Sequence, residues 1–221
     1  IPLRLVGSEM CIRDRFMDAW LPVTMKDYID QYGDQIEFIG EVYDSARVGL
    51  VVPQYVTIDS IGELAAHKGQ FSSEIVGIDA GAGIMKTTDK AIGDYGLDGY
   101  KLLTSSSSTM LASLQKAMEK EAWIVITGWT PHWMFDRYPL KFLHDPKGTY
   151  GNVESIYVVG WKGFMEKDPF AAKFFSNIKF TTEEISSLMK ALKDARMDEE
   201  DLVRKWRDGH RELVESWIPE S

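Results

Sequence analysis

The fold of this chain is decided by one stretch, EIVGIDAGAGIMKTTDKAIGDY, which spans residues 74–95. The apolar run at 74–78 predicts a strand, the glycine-rich residues 79–83 predict a tight turn, and the periodic residues from Ile84 to Tyr95 predict a helix. A strand followed at once by a helix is half of a βαβ unit. We therefore expect an α/β fold with mostly parallel sheets.

The same alternation continues on both sides of this stretch. Further strands are predicted at 36–42, 47–53, 101–103 and 123–127. Helices are predicted at 27–32 and 60–67, from the serine run at 105–108 through residue 119, after Asp168-Pro169, after Thr181, and over 199–217. Capping boxes at Ser60/Glu63 and Thr181/Glu184 fix two of these helix starts.

Composition excludes several classes of protein. The chain has 221 residues, enough for one large domain or two small lobes, and a net charge of −9, the wrong sign for binding nucleic acid through its phosphates. No apolar run approaches the ~18 residues of a membrane span, so we expect no membrane insertion in this fragment. The first residues lack the features of an export signal, and the single cysteine, Cys11, excludes an internal disulfide.

Residues 1–15, IPLRLVGSEMCIRDR, have neither helical nor alternating periodicity. They resemble translated sequencing-adapter sequence of the kind found at the ends of metagenomic reading frames. We therefore expect this segment to be non-native and the protein proper to begin near Phe16.

The segment GWTPHWMF, residues 128–135, follows a predicted strand directly. Gly128 permits a tight exit and Pro131 fixes the following backbone, so Trp129 could present its ring to a cleft as one wall of an aromatic cage for a quaternary ammonium group. Alternatively, Trp129 and Trp133 are both large core residues. His132 could bind an anionic group or cap the helix that starts there.

Two other segments lie at element ends. In DAWLP, residues 18–22, Trp20 precedes a Leu-Pro pair and could form the opposite wall of such a cage. In GIDAGAGI, residues 77–84, the amides of Gly83 and Ile84 lie at a predicted helix start, where they could bind an anion, and a carboxylate is favoured over a phosphate. An ordinary βα turn is the alternative for this segment.

The sequence lacks the residue patterns that are typical of catalytic and cofactor sites. The four histidines, at 67, 132, 144 and 210, do not have the spacing of metal ligands, and no serine stands in a Gly-x-Ser-x-Gly motif. The sequence therefore predicts no enzyme, no metal site and no cofactor.

Six motifs together resemble the glycine betaine binding proteins of ABC-type osmoprotectant transporters. They are DAWLPVT, VVPQYV, GIDAGAGIM, SSSSTMLASLQKA, ITGWTPHWMF and YPLKFLHDPK. The resemblance runs from about Phe16 to Trp217. It implies the two-lobed α/β fold of type II periplasmic binding proteins, with an incomplete first lobe at 16–73, a second lobe at 74–155, and a crossover strand and C-terminal helices at 156–221 that return toward the first lobe.

The resemblance also implies roles for individual residues. Trp20 and Trp129 match two tryptophans that enclose the trimethylammonium group, and Gly83 and Ile84 match the amides that bind the ligand carboxylate. Family members commonly have a histidine five residues after the AWLP tryptophan as a further carboxylate ligand, where this chain has Met25. They also carry a third cage tryptophan in a strand and helix before AWLP, so we expect the first lobe to be truncated at its N-terminus.

These implications give an expected function. The chain would capture glycine betaine or a related betaine for an ABC importer, with a permease subunit as partner, on the periplasmic or extracellular face of the membrane. Proline betaine, carnitine and choline are rival ligands, and choline lacks a carboxylate for the Gly83/Ile84 turn. An enzyme acting on methylated amines and a domain of a membrane-fused sensor or permease are the rivals from other classes.

Overall fold

The computed structural model describes residues 15–194 and 198–220. Its strands are β1 (Arg15–Leu21), β2 (Ile36–Pro53), β3 (Glu74–Val76), β4 (Lys101–Leu103), β5 (Ile126–Thr130), β6 (Leu140–Phe142) and β7 (Glu154–Trp161). Its α-helices are α1 (Lys26–Tyr32), α2 (Gly83–Asp94), α3 (Ser107–Met118), α4 (Met134–Arg137), α5 (Phe164–Lys167), α6 (Pro169–Asn177), α7 (Thr182–Asp194), α8 (Glu199–Gly209) and α9 (Arg211–Trp217). Short 3-10 helices cover Gly33–Gln35 and Ile61–His67.

The chain divides into two compact units. Unit 1 joins the chain up to Ala46 to the chain from Val153 onwards, and unit 2 is Arg47–Asn152. The units differ from the predicted lobes at residues 47–73, which were expected in the first lobe and lie in unit 2, because the second half of β2 pairs with β5 and β6. They also differ at residues 153–155, which were expected in the second lobe and lie in unit 1. The predicted non-native segment lies outside the described residues except for Arg15, which begins β1.

Unit 1 contains a sheet in which β7 is the central strand. β1 and the first part of β2 pair with β7 on either side, both antiparallel. Residues of β2 and β7 pack against α5, α6 and α9 in an apolar cluster that consists of Ile39, Val42, Val158, Phe164, Ala172, Phe175, Ile178 and Trp217. This cluster therefore anchors β2 and β7 to three helices of unit 1.

The helix starts of unit 1 follow local capping signals. The Asp168 side chain accepts a hydrogen bond from the amide of Ala171, and Pro169 occupies the first turn of α6. Thr181 and Glu184 exchange both hydrogen bonds of the predicted capping box. The single helix predicted over 199–217 was wrong: α8 ends at Gly209, where glycine favours termination, and α9 starts after His210.

Unit 2 has a sheet with the order β2, β5, β3, β4. β3 pairs in parallel with both β4 and β5, as the βαβ pattern predicts, but β2 pairs antiparallel with β5 and with β6. The prediction of mostly parallel sheets was therefore wrong. In unit 2, the strands β3, β4 and β5 run parallel to one another, and a helix lies in the chain between each of them and the next. The second half of β2 joins this sheet in the antiparallel direction.

The strand predicted at 123–127 lies three residues further along, as β5 at Ile126–Thr130. Gly128 allows this continuation, because a Cβ atom there would come within 2.5 Å of the Val51 side chain on β2. Trp129 is consequently a strand residue paired with Val48 rather than a residue of the following loop.

Candidate ligand-binding residues

Trp129 lies near the carboxyl end of β5 in unit 2. Its half-buried ring packs against the unit 2 core, a cluster that consists of Val51, Met110, Leu114, Ile126, Met134 and Leu140. The His132 ring makes a T-shaped contact with it, with centroids 4.9 Å apart and planes at 83°. Trp129 is therefore fixed by strand pairing and packing while part of the ring remains exposed.

His132 makes the capping contact that the sequence left open. Its Nδ1 accepts a hydrogen bond of 3.1 Å from the amide of Met134, the first residue of α4. In the neutral ring this leaves the proton on Nε2. Burial lowers the pKa of His132 to about 4, so the ring is neutral at pH 7 and any contact it makes to an anion is by donation from Nε2–H.

Trp133 lies at the start of α4 and packs against the same core as Trp129. Its ring lies 5.4 Å from that of His132, at 31°. The His132 ring thus contacts both tryptophans. Trp129 and Trp133 are therefore both partly core residues, because each is half-buried.

Gly83 and Ile84 begin α2. Ala82, the N-cap residue, is extended and supplies no side-chain cap. The amides of a helix's first turn have no acceptor within the helix, so those of Gly83 and Ile84 are available to an anion. The Ile84 side chain is buried, and the Thr88 hydroxyl donates to its carbonyl, so the start of α2 is anchored to the core of unit 2.

Gly83 and Trp129 lie at the same edge of the unit 2 sheet. β3 and β5 are parallel neighbours, paired at Val76 and Ile126. Trp129 lies near the carboxyl end of β5, and Gly83 follows the carboxyl end of β3. Ligands of α/β sheets bind at this edge. The topology therefore brings the predicted amide site and the predicted ring to one side of unit 2.

Trp20 lies near the end of β1 in unit 1, paired with Ile156 of β7. Its indole Nε1–H donates to the Asp18 carboxylate at 2.5 Å. Its ring packs against a small cluster that consists of Tyr43, Ala46 and Ile156. Polar and apolar contacts both fix the Trp20 ring, which is half-buried.

The turn after Trp20 contains a cis peptide bond between Leu21 and Pro22 and brings Met25 back to Trp20. The amide of Met25 donates to the carbonyl of Trp20 at 3.0 Å. Met25 is half-buried and immediately precedes α1. Two of the predicted site residues are therefore adjacent in unit 1.

Sequence reasoning missed Glu154, which binds this turn. Its carboxylate accepts hydrogen bonds from the amides of Val23 and Thr24 and from the Thr24 hydroxyl. The contact joins residues about 130 positions apart, so no local pattern announces it. The one sequence signal for this contact was Pro22, which ends strand pairing, so that the amides after it need another acceptor.

Across residues 15–194 and 198–220, no group of histidine, cysteine, aspartate and glutamate side chains could hold a metal ion. In the same stretches, every helix is too short or too polar to cross a bilayer.

Comparison with protein families matches residues 13–209 to the substrate-binding domain of the ABC-type glycine betaine transport system. The chain belongs to this family. A glycine betaine/carnitine transport binding protein of Listeria monocytogenes is 41% identical over 178 residues, which are 80% of this chain and 57% of the Listeria protein. The chain thus spans little more than half the length of that relative.

Two solved structures of the family resemble this chain throughout. A glycine/betaine/L-proline-binding protein from Borrelia burgdorferi superposes with a TM-score of 0.89 at 34% identity, covering 94% of this chain and 78% of the other. Lactococcal OpuAC, closed and complexed with glycine betaine, has a TM-score of 0.88 at 37% identity, covering 93% of this chain and 80% of the other. A choline binding protein in complex with choline, 23% identical with a TM-score of 0.85, shares the fold.

Membership in the glycine betaine transport family confirms two predictions. The α/β periplasmic-binding-protein fold is shared with the Borrelia and lactococcal structures. The chain is a substrate-binding domain of an ABC transport system rather than an enzyme.

Proposed function

We propose that this chain captures glycine betaine, or a closely related betaine, and delivers it to the permease of an ABC importer outside the cytoplasmic membrane. The observation that carries the proposal is the family match over residues 13–209. It is supported by the lactococcal relative, 37% identical, which is complexed with glycine betaine.

In this proposal Trp129 and Trp20 each offer a ring face to the trimethylammonium group. A quaternary ammonium has no hydrogen to donate, so the ring quadrupole is the suitable partner. The partial exposure and fixed position of both rings support this role.

The ligand carboxylate would be bound by the amides of Gly83 and Ile84, with His132 able to add a donor from its neutral ring. The position of these amides at the start of a 12-residue helix supports the assignment, because the helix dipole and the free first-turn N–H groups both favour an anion. Met25 would contact the ligand through packing alone, since a thioether is a weak acceptor and donates nothing.

Carnitine is the second candidate. The Listeria relative, 41% identical, is named for both glycine betaine and carnitine. Carnitine carries a quaternary ammonium and a carboxylate, so the same groups of this chain could bind it. Choline has the cation but no carboxylate.

Isothermal titration of the 221-residue chain with glycine betaine, carnitine and choline tests the proposal. We expect glycine betaine to bind at least ~10-fold more tightly than choline, equivalent to about 1.4 kcal/mol from one charge-assisted anchor. Choline binding as tightly as glycine betaine would remove the anion role from Gly83 and Ile84. Heat signals absent for all three ligands would contradict the proposed function itself.

A further inference from the structure

We propose that Glu154 is the positioning residue for Trp20: its buried carboxylate fixes the turn at residues 21–25 and thereby sets the orientation of the Trp20 ring. The inference rests on the proposed function, in which Trp20 offers a ring face to the ligand. Every residue involved lies in unit 1.

Glu154 is unusual in its burial. It is 1% exposed and is the one carboxylate in the buried class among the residues that the structure describes. A buried charge is unfavourable unless hydrogen bonds compensate it. Here Oε2 accepts from the amides of Val23 at 3.1 Å and Thr24 at 2.9 Å, and Oε1 accepts from the Thr24 hydroxyl at 2.5 Å. The turn donates all three bonds.

The position of Glu154 explains why a side chain is needed there. β1 pairs with β7 as far as Leu21 and Ser155. The next residue, Pro22, has no N–H, so the strand pairing cannot continue. Glu154, the first residue of β7, replaces the missing backbone acceptors with its carboxylate and satisfies the two amides that follow the proline.

Two further backbone hydrogen bonds stabilise this turn, and the first of them connects it to Trp20. The Met25 amide donates to the Trp20 carbonyl at 3.0 Å, and the Lys26 amide donates to the Val23 carbonyl at 3.3 Å. Trp20 also pairs across the sheet with Ile156, two residues after Glu154, and its ring packs against the cluster that contains Ile156. A turn released from Glu154 would therefore shift the backbone of Trp20 and Met25 together.

Three substitutions distinguish positioning from the other roles a buried glutamate could have. In Glu154→Gln the amide oxygen can still accept from both N–H groups, and the amide nitrogen can donate to the Thr24 hydroxyl. In Glu154→Met the volume is retained but both amides lose their acceptor. If Glu154 positions the turn, Glu154→Gln should retain ligand binding and Glu154→Met should lose it. If Glu154 only fills space, Glu154→Met should retain binding. If its charge acts directly on the cation, both variants should lose binding.

The first measurement needs no ligand. Fluorine NMR of the chain labelled with 5-fluorotryptophan, with the Trp20 resonance assigned through Trp20→Phe, reports the ring environment directly. We expect Glu154→Met to move or broaden the Trp20 resonance and to leave that of Trp129 in place, while Glu154→Gln changes neither. Glu37→Met is the matched control, because Glu37 lies on β2 of the same sheet and accepts from a different amide, that of Met165, at 2.7 Å.

The second measurement is glycine betaine affinity in a double-mutant cycle. Glu154→Met should weaken binding about tenfold, less than the roughly thirty-fold of a whole desolvated cation-π contact. In a Trp20→Ala background the same substitution should weaken it by less than about twofold, because the group through which Glu154 acts is absent. An undiminished loss in that background, or a loss in Glu154→Gln equal to that in Glu154→Met, would overturn the proposal.

A smaller perturbation covers the case in which Glu154→Met fails to fold. Thr24→Val removes only the hydroxyl donor, and Thr24→Ser restores it, so the Trp20 resonance should move in the first and return in the second. If Glu154→Met does not fold, a Trp20 resonance that is unmoved in Thr24→Val contradicts the proposal by itself. If Glu154→Met folds, a resonance unmoved in both variants contradicts it. Absence of glycine betaine binding by the unaltered chain would contradict the proposed function alone, since the fluorine measurement decides the role of Glu154 independently.

Discussion

Trp20 in unit 1 and Trp129 in unit 2 are both half-buried at the end of a strand, but different forces fix them. Around Trp20 hydrogen bonds add to apolar packing: the indole N–H donates to Asp18, and Glu154 binds the adjoining turn, while the ring packs against a small apolar cluster. Around Trp129 the contacts are apolar, with a packed core on one side and the His132 ring on another. Rings of the same type can thus be oriented by hydrogen bonds together with packing in one unit and by packing in the other, and they should respond to different substitutions.

The largest effect should come from removing packing in unit 2. Met134 is 0% exposed and belongs to the core that Trp129 contacts. Met134→Ala should lower the free energy of unfolding by about 2–5 kcal/mol, because it removes buried methylene groups and leaves a cavity. Urea titration measures the change. Met165→Ala, at a residue 41% exposed in unit 1, is the control and should stay within about 0.5 kcal/mol. Equal losses in the two variants would contradict a packing origin for the Trp129 position.

The next effect concerns the ring itself. Trp129→Ala should weaken glycine betaine binding by about 2 kcal/mol, or roughly thirty-fold, because a desolvated cation-π contact is lost. Trp133→Ala removes a tryptophan from the same core without removing the proposed ring face, so its affinity loss should be far smaller. Calorimetry that finds the two losses equal would show that general packing, rather than the Trp129 face, determines affinity.

Met25 offers a test in the polar region of unit 1. Met25→His should tighten glycine betaine binding by about tenfold, or about 1.4 kcal/mol, by supplying a donor to the carboxylate. Choline affinity should stay unchanged because choline has no carboxylate. If neither affinity changes, or choline gains equally, position 25 does not contact the ligand.

The smallest effect is a change in pH dependence. Burial lowers the pKa of His132 from 6.5 to about 4, so the unfolded chain binds a proton in this range that the folded chain does not. The stabilisation from keeping His132 neutral is complete above pH 6.5 and is lost as the pH falls toward 4. His132→Asn, which keeps an acceptor for the Met134 amide, should reduce the slope of unfolding free energy against pH by less than one proton. An unchanged slope would show that His132 titrates normally.

Local sequence signals correctly predicted those structural features that depend on neighbouring residues, such as helix starts. The Ser60/Glu63 and Thr181/Glu184 capping boxes are both formed, and α2 begins within one residue of its predicted start. The three segments with Trp20, Gly83 and Trp129 were found because proline, glycine and tryptophan at element ends are visible in a single sequence. The roles of these residues in ligand binding stay predictions.

Long-range pairing was not predictable in the same way. Two predicted strands, at 36–42 and 47–53, are one strand, β2, because Tyr43 and Ala46 continue the pairing with β7 through register shifts that periodicity does not reveal. In the sequence, nothing distinguishes Glu154 from an ordinary polar residue at the start of a strand. Its burial depends on a turn about 130 positions earlier. Such contacts arise from topology, which a pattern of single residues does not encode.

The central place of β7 in the unit 1 sheet has a consequence for biosynthesis. β1 and the first part of β2 pair with β7 and not with each other, yet β7 is translated more than a hundred residues after β2 begins. Both strands must therefore leave the ribosome without their sheet partner, whereas unit 2 is complete in sequence before β7 is made. The Trp20 turn, which needs Glu154, is thus among the first parts of the described chain to be synthesised and among the last able to reach its native contacts.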